Sequence, residues 1–409
     1  MALRKCTNLQ NTVLNLVRFN IRLSKPKKLL ALVVLINLIL TLFAEIVFRL
    51  SIHPWLGKNF FTYLLAPIGQ FDDFFGGLPN PGTAGATSFN GYVYPPISSV
   101  VYEIFSLLPT VPIDLRFFAF QSISILIFLY AIRVCTEVGE WGFLTLLTYP
   151  VIFCFFRGNN ELIQVGIFFL SVKALDQGRT VLGSTLATSN QLFELSPLLF
   201  LLARPWKRAH MYIASLTVIV SFLLFLIVHP TLNLFDWALD FSKYLSTQSS
   251  PEKVWVLYNN SVWNLLAYLD VLLSRNGQPP IFQNNISIIG VVFLISAAGC
   301  IVLVLKRGNR LDQILIGVSM WILVPSVSFD YRLTYFLIPF LMICEDLSQS
   351  RRKLQLIIIA LLLSPKHILS LPANVAWPVG GTENGVLNPL LLIALVVVTM
   401  KDKQDVPIV

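Results

Sequence analysis

The chain has 409 residues, of which 56% are apolar and only 12% are charged, and its mean hydropathy is +0.73. Soluble domains carry about 25% charged residues, so this composition argues against a soluble protein and predicts one polytopic membrane domain. The net charge of +9 does not indicate nucleic-acid binding, because the N-terminal basic residues gather beside the first apolar segment, where membrane proteins place them.

The cysteines and the N-terminus narrow the class further. The five cysteines form no CxxC pattern, so the sequence predicts neither a disulfide framework nor a zinc site. Residues 29–48 follow a basic tail as a signal peptide would, but the run is too long and lacks a small-residue cleavage site. We therefore expect an uncleaved membrane anchor. The sequence contains no GxGxxG, Walker A, HExxH or GxSxG motif.

Apolar windows predict a chain of membrane-spanning helices. In order, they lie near 29–50, 113–134, 141–156, 161–175, 210–228, 285–305, 311–326, 331–347, 354–371 and 385–400. The stretch 180–203 is interrupted by ELSP (194–197) and predicts a hairpin of two shorter helices. The prediction is an all-α bundle of about twelve spans, a domain over 29–400 with cytoplasmic tails at 1–28 and 401–409.

This order of spans puts most Lys and Arg residues on the cytoplasmic side, as the positive-inside bias requires. The other side receives the two long loops, 51–112 and 229–284. It also receives the polar strings FDDFF (71–75), GYVYPP (91–96), FRGNNE (156–161), ELSP, YNNSVWN (258–264) and SFDYR (328–332). We expect segments 55–69 and 97–109 to lie along the outer interface, because they are apolar but too short to cross the membrane.

FDDFF places two adjacent carboxylates, Asp72 and Asp73, in a chain that is poor in acids. Successive side chains point apart, so only one of them can face a given ligand atom. Two close carboxylates raise the pKa of one, which suits a general base. The alternative is a solvated acidic turn that caps an interfacial helix. As ligands for a divalent ion, two adjacent carboxylates are a thin set.

GYVYPP contributes Tyr92, Tyr94, Pro95 and Pro96. The prolines restrict the backbone and form a rigid anchor. The preceding residues 79–91 are rich in Gly, Ser and Pro, which is typical of a mobile loop. Such a loop could close over a substrate, and a plain surface loop is the alternative.

FRGNNE and ELSP place polar side chains at two further predicted span ends. Arg157 could bind a phosphate by bidentate hydrogen bonds, or it could pair with Glu161 as a helical neighbour four residues away. Asn159 and Asn160 add two amides beside it. Glu194, at the hairpin tip, is expected to need a partner or a water-filled cavity.

YNNSVWN and SFDYR complete the set of polar strings. Asn260 and Ser261 offer the amide and hydroxyl groups that bind sugar hydroxyls, and they lie in an Asn-x-Ser glycosylation pattern. Asp330, Tyr331 and Arg332 lie at another predicted outer span end. Ionisable groups in membrane spans are often functional, although near a span end a long side chain can also reach water without any such role.

The order of these strings resembles the polyprenyl-phosphate-mannose-dependent α-1,2-mannosyltransferases of the GT-C superfamily, from about residue 29 to 347. The resemblance implies a GT-C-like fold, a sugar donor on a lipid phosphate, inversion at the anomeric carbon, and an outer-loop aspartate as base. That base is Asp72 or Asp73, with Asp72 preferred. The chain departs from the family pattern at Glu194, where a lysine is common, so phosphate binding is expected at Arg157 and Arg332.

Together these features predict a membrane enzyme that transfers a hexose, with mannose as a candidate, from a polyprenyl-phosphate donor to a lipid or glycan acceptor on the extracytoplasmic face. Lipid phosphate leaves readily once its charge is neutralised, so one base and one or two cations suffice. No cofactor is indicated, and a requirement for a divalent metal stays open. A transporter or flippase of lipid-linked saccharides would show internal repeats, which are not found. A polymerase or ligase of lipid-linked glycans is a third alternative.

Overall fold

The computed structural model describes residues 25–51, 96–106, 111–194, 207–228, 260–282, 309–325, 330–366 and 383–401, with isolated positions such as Leu202 and Ser328. Every regular element in these ranges is a helix, in agreement with the predicted all-α class. The helices are α1 (Lys25–Ser51), α2 (Pro96–Ser106), α3 (Ile113–Cys135), a 3₁₀ helix (Gly139–Leu147), α4 (Tyr149–Arg157), α5 (Glu161–Asp176), α6 (Thr180–Glu194), α7 (Arg208–Val228), α8 (Val262–Arg275), α9 (Arg310–Leu323), a second 3₁₀ helix (Asp330–Phe336), α10 (Leu337–Glu345), α11 (Ser350–Leu362) and α12 (Glu383–Met400).

Several helices match the predicted spans to within a few residues, among them α3, α5, α7 and α12. The predicted span 285–305 and the second half of the hairpin after ELSP lie largely outside the described residues. The first half of that hairpin is α6, which ends at Glu194.

Two predicted single helices are each divided in two. The span predicted at 141–156 consists of the 3₁₀ helix and α4, with Pro150 in the first turn of α4. Proline lacks a backbone N–H and is tolerated in the first turn of a helix, so Pro150 marks a new start. The span predicted at 331–347 divides in the same way, and Pro339 lies in the first turn of α10.

Two of the described helices are long and apolar enough to cross a membrane, over Leu115–Cys135 and Arg208–Ile227. The second has only 22% of its apolar window buried in the protein, so most of its surface faces outward. Val262–Ser274 and Gly385–Met400 are apolar but shorter. These helices support a membrane protein, while the count of about twelve spans stays a prediction.

Two close approaches fix the directions of the central helices. A Cβ on Gly166 of α5 would lie 3.1 Å from the backbone of Ile127, so glycine lets α5 approach α3 closely. The thiol of Cys135 lies 3.6 Å from the carbonyl of Phe169. This second contact is further towards the C-terminus in both helices, so α3 and α5 run in the same direction. Gly178, with φ 75°, then turns the chain back into α6.

One end of the bundle, which we call the ion-pair end, is held by charges. Asp312 of α9 accepts from Arg351 at 2.9 Å and from Arg352 at 2.8 Å, both at the start of α11. Arg310 lies 3.7 Å from Asp176, the last residue of α5. The predicted inner-side arginines 310, 351 and 352 therefore lie together.

Candidate functional site

The opposite end, which we call the amide end, begins at the junction of α4 and α5. Gly158 has a φ of 70° and ends α4, and the N–H of Asn159 donates to the carbonyl of Cys154 at 3.2 Å. The left-handed backbone conformation of Gly158 is the one that commonly ends an α-helix at a glycine. Arg157 and Glu161 thus belong to different helices, and the alternative that their side chains pair stays a prediction. The Arg157 side chain lies outside the described residues.

The Asn160 side chain links α2 to the first turn of α5. Its Nδ2 donates to Ser98 Oγ of α2 at 3.0 Å, and its Oδ1 accepts from Gln164 Nε2 at 2.7 Å. The Gln164 carbonyl in turn accepts from Asn190 of α6 at 2.7 Å. Asn160 is only 4% exposed, so the structure gives it an architectural role at the position where the sequence predicted sugar binding.

Asn159 and Glu161 lie at the start of α5, on either side of Asn160. The Asn159 Oδ1 accepts from the Glu161 N–H at 2.8 Å. Glu161 is 1% exposed and lies in the first turn of α5, where the helix dipole favours a negative charge. The sequence predicts Glu161 only as a partner for Arg157, because its burial depends on packing that no local pattern reveals. Glu194 ends α6 on this side, and its side chain is not among those described.

A second amide group joins α8 to α12. The Asn260 N–H donates to the Ser328 carbonyl at 2.6 Å, and the Asn260 Oδ1 accepts from Asn388 Nδ2 at 2.8 Å. Asn260 and Asn388 are completely buried. Within the described part of the chain, Asn260 Nδ2 has no hydrogen-bond partner. This buried donor is a polar atom of the amide end that is left available for a ligand.

Ser261 has a structural role beside it. Its hydroxyl accepts from the Asn264 N–H at 3.3 Å and caps the first turn of α8. The side chain is completely buried. The predicted sugar-binding pair Asn260 and Ser261 therefore divides into one residue with a spare donor and one helix cap.

Arg332 is stacked on an aromatic pair. Its guanidinium carbon lies 4.6 Å from the centre of the Trp321 ring, and Trp321 meets Tyr335 edge-to-face at 4.8 Å. Stacking on a tryptophan orients an arginine and stabilises its charge. The SFDYR string indicates Arg332, but no sequence pattern indicates Trp321, which lies inside an apolar helix. Asp330 and Tyr331 share the 3₁₀ helix with Arg332, and their side chains lie outside the described set.

Most of the predicted polar strings that fall within the described residues lie at the amide end. α4 and α5 pack against the 3₁₀ helix that carries Arg332, α2 packs against α6, and α8 packs against α12. Pro96 begins α2. The remaining predicted site residues, Asp72, Asp73, Tyr92, Tyr94 and Pro95, lie outside the described residues. Among the described residues, no group of three or more His, Cys, Asp or Glu could hold a metal ion.

Comparison with known proteins identifies the family. The model of glycosyltransferase family 87 matches residues 92–326, which is more than half of the chain. No curated protein and no solved structure matches. The match begins at Tyr92 and runs through α9, so it covers Asn160, Asn260 and Trp321. Because a family model covers most of the described bundle, the chain belongs to glycosyltransferase family 87.

Proposed function

We propose that this glycosyltransferase moves a hexose, with mannose as the candidate, from a polyprenyl-phosphate donor to a lipid or glycan acceptor at the extracytoplasmic membrane face. The observation that carries the proposal is the arginine stacked on Trp321 at 4.6 Å. It places a fixed cation at the end of the bundle where the buried donor of Asn260 also lies. Membership in a glycosyltransferase family favours bond formation over transport.

The chemistry needs few groups. The acceptor hydroxyl oxygen forms a bond to the anomeric carbon while the bond from that carbon to the phosphate oxygen breaks, with inversion. The electron pair leaves with the polyprenyl phosphate, and the hydroxyl proton passes to Asp72 or Asp73. A guanidinium beside the departing phosphate stabilises its growing negative charge. Arg332 and Arg157 are the candidates for that role.

The apolar surface of the bundle suits a lipid donor. Leu216 and Ile227 of α7 are 60% and 72% exposed, as expected for a helix in contact with lipid tails. A polyprenyl chain could therefore lie among the helices while its phosphate reaches the amide end. A nucleotide sugar has no lipid chain that could make apolar contacts with this surface.

The test uses purified protein in lipid nanodiscs with radiolabelled polyprenyl-phosphate hexoses and candidate acceptors. Loss of a general base lowers turnover by about 10²- to 10⁴-fold. We expect this loss in Asp72→Asn, or in Asp73→Asn if the second aspartate is the base. Asp176→Asn at the ion-pair end is the matched control. A folded protein with both Asp72 and Asp73 replaced by Asn that transfers at the wild-type rate would refute the proposal, as would transfer only from nucleotide sugars.

A further inference from the structure

We propose that Asn388 is a positioning residue that turns the amide of Asn260 so that its Nδ2 faces a hydroxyl oxygen of the transferred sugar. The inference rests on the proposed function, because it takes the ligand to be a lipid-linked hexose. Asn388 lies in α12, beyond residues 92–326 that match the family model. A helix outside the family match would thus complete the binding site.

The hydrogen bonds around Asn260 define what it can offer a ligand. Its backbone N–H is taken by Ser328 at 2.6 Å, and its Oδ1 is taken by Asn388 at 2.8 Å. The remaining group is Nδ2, which is buried and has no partner among the described residues. A buried donor without a partner costs free energy, and a ligand oxygen would recover that cost.

The direction of the Asn388 hydrogen bond decides which end of the Asn260 amide is presented. An asparagine side chain carries a donor at one end and an acceptor at the other. Because Asn388 donates to Oδ1, Nδ2 is the atom that points elsewhere. Without Asn388, the amide could rotate and present an acceptor in place of a donor. Sugar hydroxyls both donate and accept, so the rotation would change which hydroxyl fits.

A second contact between α8 and α12 also fixes the position of Asn388 relative to α8. Pro389 has no N–H, so the carbonyl of Gly385 lacks its helical partner. Asn264 Nδ2 donates to that carbonyl at 3.2 Å. The contact joins the same two helices as the Asn260–Asn388 hydrogen bond but does not involve Asn260. Asn264 therefore offers a structural control for Asn388.

Asn260 is also hydrogen-bonded to the segment before Arg332, a candidate for binding the phosphate. Ser328, which accepts its N–H, lies two residues before the 3₁₀ helix Asp330–Phe336. That helix carries Arg332, which is stacked on Trp321. A cation for the phosphate and a donor for a sugar hydroxyl thus come from directly linked segments. This arrangement matches a ligand in which the sugar is attached to the phosphate.

The test compares Asn388→Leu with Asn264→Leu in the full-length protein in nanodiscs. For the wild type and each variant, kcat/KM is measured with a polyprenyl-phosphate hexose and with single-deoxy analogues that each lack one hydroxyl. We expect the wild type to lose about tenfold in kcat/KM with the analogue that lacks the bound hydroxyl. Asn388→Leu should abolish that one penalty, and Asn264→Leu should keep it while lowering the thermal stability.

The outcomes separate this inference from the proposed function. If the wild type transfers sugar but Asn388→Leu and Asn264→Leu both keep the wild-type deoxy-sugar penalties, the inference is wrong and the proposed function stands. If Asn388→Leu weakens inhibition by sugar-free polyprenyl phosphate and leaves the deoxy penalties unchanged, the bound oxygen belongs to the phosphate and the sugar assignment is overturned. If the wild type transfers no polyprenyl-phosphate hexose, the proposed function itself fails. Should Asn388→Leu not fold, Asn260→Ala removes the donor that Asn388 is proposed to orient, and an unchanged set of deoxy-sugar penalties in that variant would overturn the inference.

Discussion

The two ends of the bundle solve the problem of buried polar groups in opposite ways. At the ion-pair end, Asp312 is 4% exposed and meets two arginines at 2.9 and 2.8 Å. At the amide end, the buried groups are largely neutral amides and hydroxyls, and Asn260 keeps one donor unpaired among the described residues. In the first arrangement the buried carboxylate is paired with two guanidinium groups, and in the second a neutral amide keeps a donor for a ligand.

The difference follows from the cost of burying each kind of group. A buried carboxylate must be paired, because its desolvation costs far more than that of a neutral amide. Arg352 gains an additional partner, because it also donates to Gln355 at 2.8 Å, and Gln355 in turn donates to Thr399 at 2.9 Å. A neutral amide can stay unpaired at a moderate cost, so a ligand site is easier to build from amides. The comparison predicts that mutations at the two ends affect different properties.

The largest expected effect is a loss of stability at the ion-pair end. Asp312→Ala leaves Arg351 and Arg352 without their shared carboxylate, and breaking a buried ion pair costs about 3–5 kcal/mol. The free energy of unfolding, measured by denaturant titration in detergent, should fall by that amount. The donor KM of the folded fraction should stay unchanged. A matching rise in donor KM would mean that the two ends are not separate in function.

The second effect is a loss of activity at the amide end. Arg332→Gln removes the cation stacked on Trp321 while keeping a polar side chain of similar length. A charge-assisted hydrogen bond contributes about 1.5–3 kcal/mol, so kcat/KM should fall by about 10- to 100-fold. Arg133→Gln, at an exposed position in the last turn of α3, should leave kcat/KM unchanged. Equal losses in both variants would indicate a general charge effect and remove Arg332 from the site.

The sequence predicted several of the helices well, because apolar helical periodicity is a local pattern. Apolar periodicity located α3, α5, α7 and α12 to within a few residues. The polar strings marked helix ends, and several of those ends meet in the structure. The breaks in two predicted helices were missed, although Pro150 and Pro339 are visible signals for a new helix start.

The roles of individual side chains were harder to predict, because they depend on partners far away in sequence. Asn160 bonds to Ser98, 62 positions earlier, and this contact gives it a structural role. Asn388 bonds to Asn260 across 128 positions. A single asparagine in an apolar helix carries no pattern that distinguishes it from a helix-packing residue. Trp321 was missed for the same reason.

The smallest expected effect tests the partly exposed carboxylate of the ion-pair end. Asp176 lies just beyond the predicted span 161–175, and partial burial raises its pKa, although Arg310 and then Lys173 act to lower it. A raised pKa in the folded state means that stability is greatest below the unfolded pKa of aspartate and declines as pH rises through the folded pKa. The pair with Arg310 is wide, at 3.7 Å, and the Asp176 side chain is 44% exposed.

We therefore expect Asp176→Asn to change the stability at neutral pH by about 0.5 kcal/mol or less, and to remove the small decline with rising pH. Unfolding curves of the wild type and the variant, recorded across that pH range, measure both effects. Asp312→Ala and Asp176→Asn differ because Asp312 neutralises the buried Arg352 and the partly exposed Arg351, whereas Asp176 is held by a screened contact at the surface. A large destabilisation by Asp176→Asn would mean that the ion-pair end depends on both carboxylates. The greater exposure of Asp176 would then not make its contribution to stability smaller than that of Asp312.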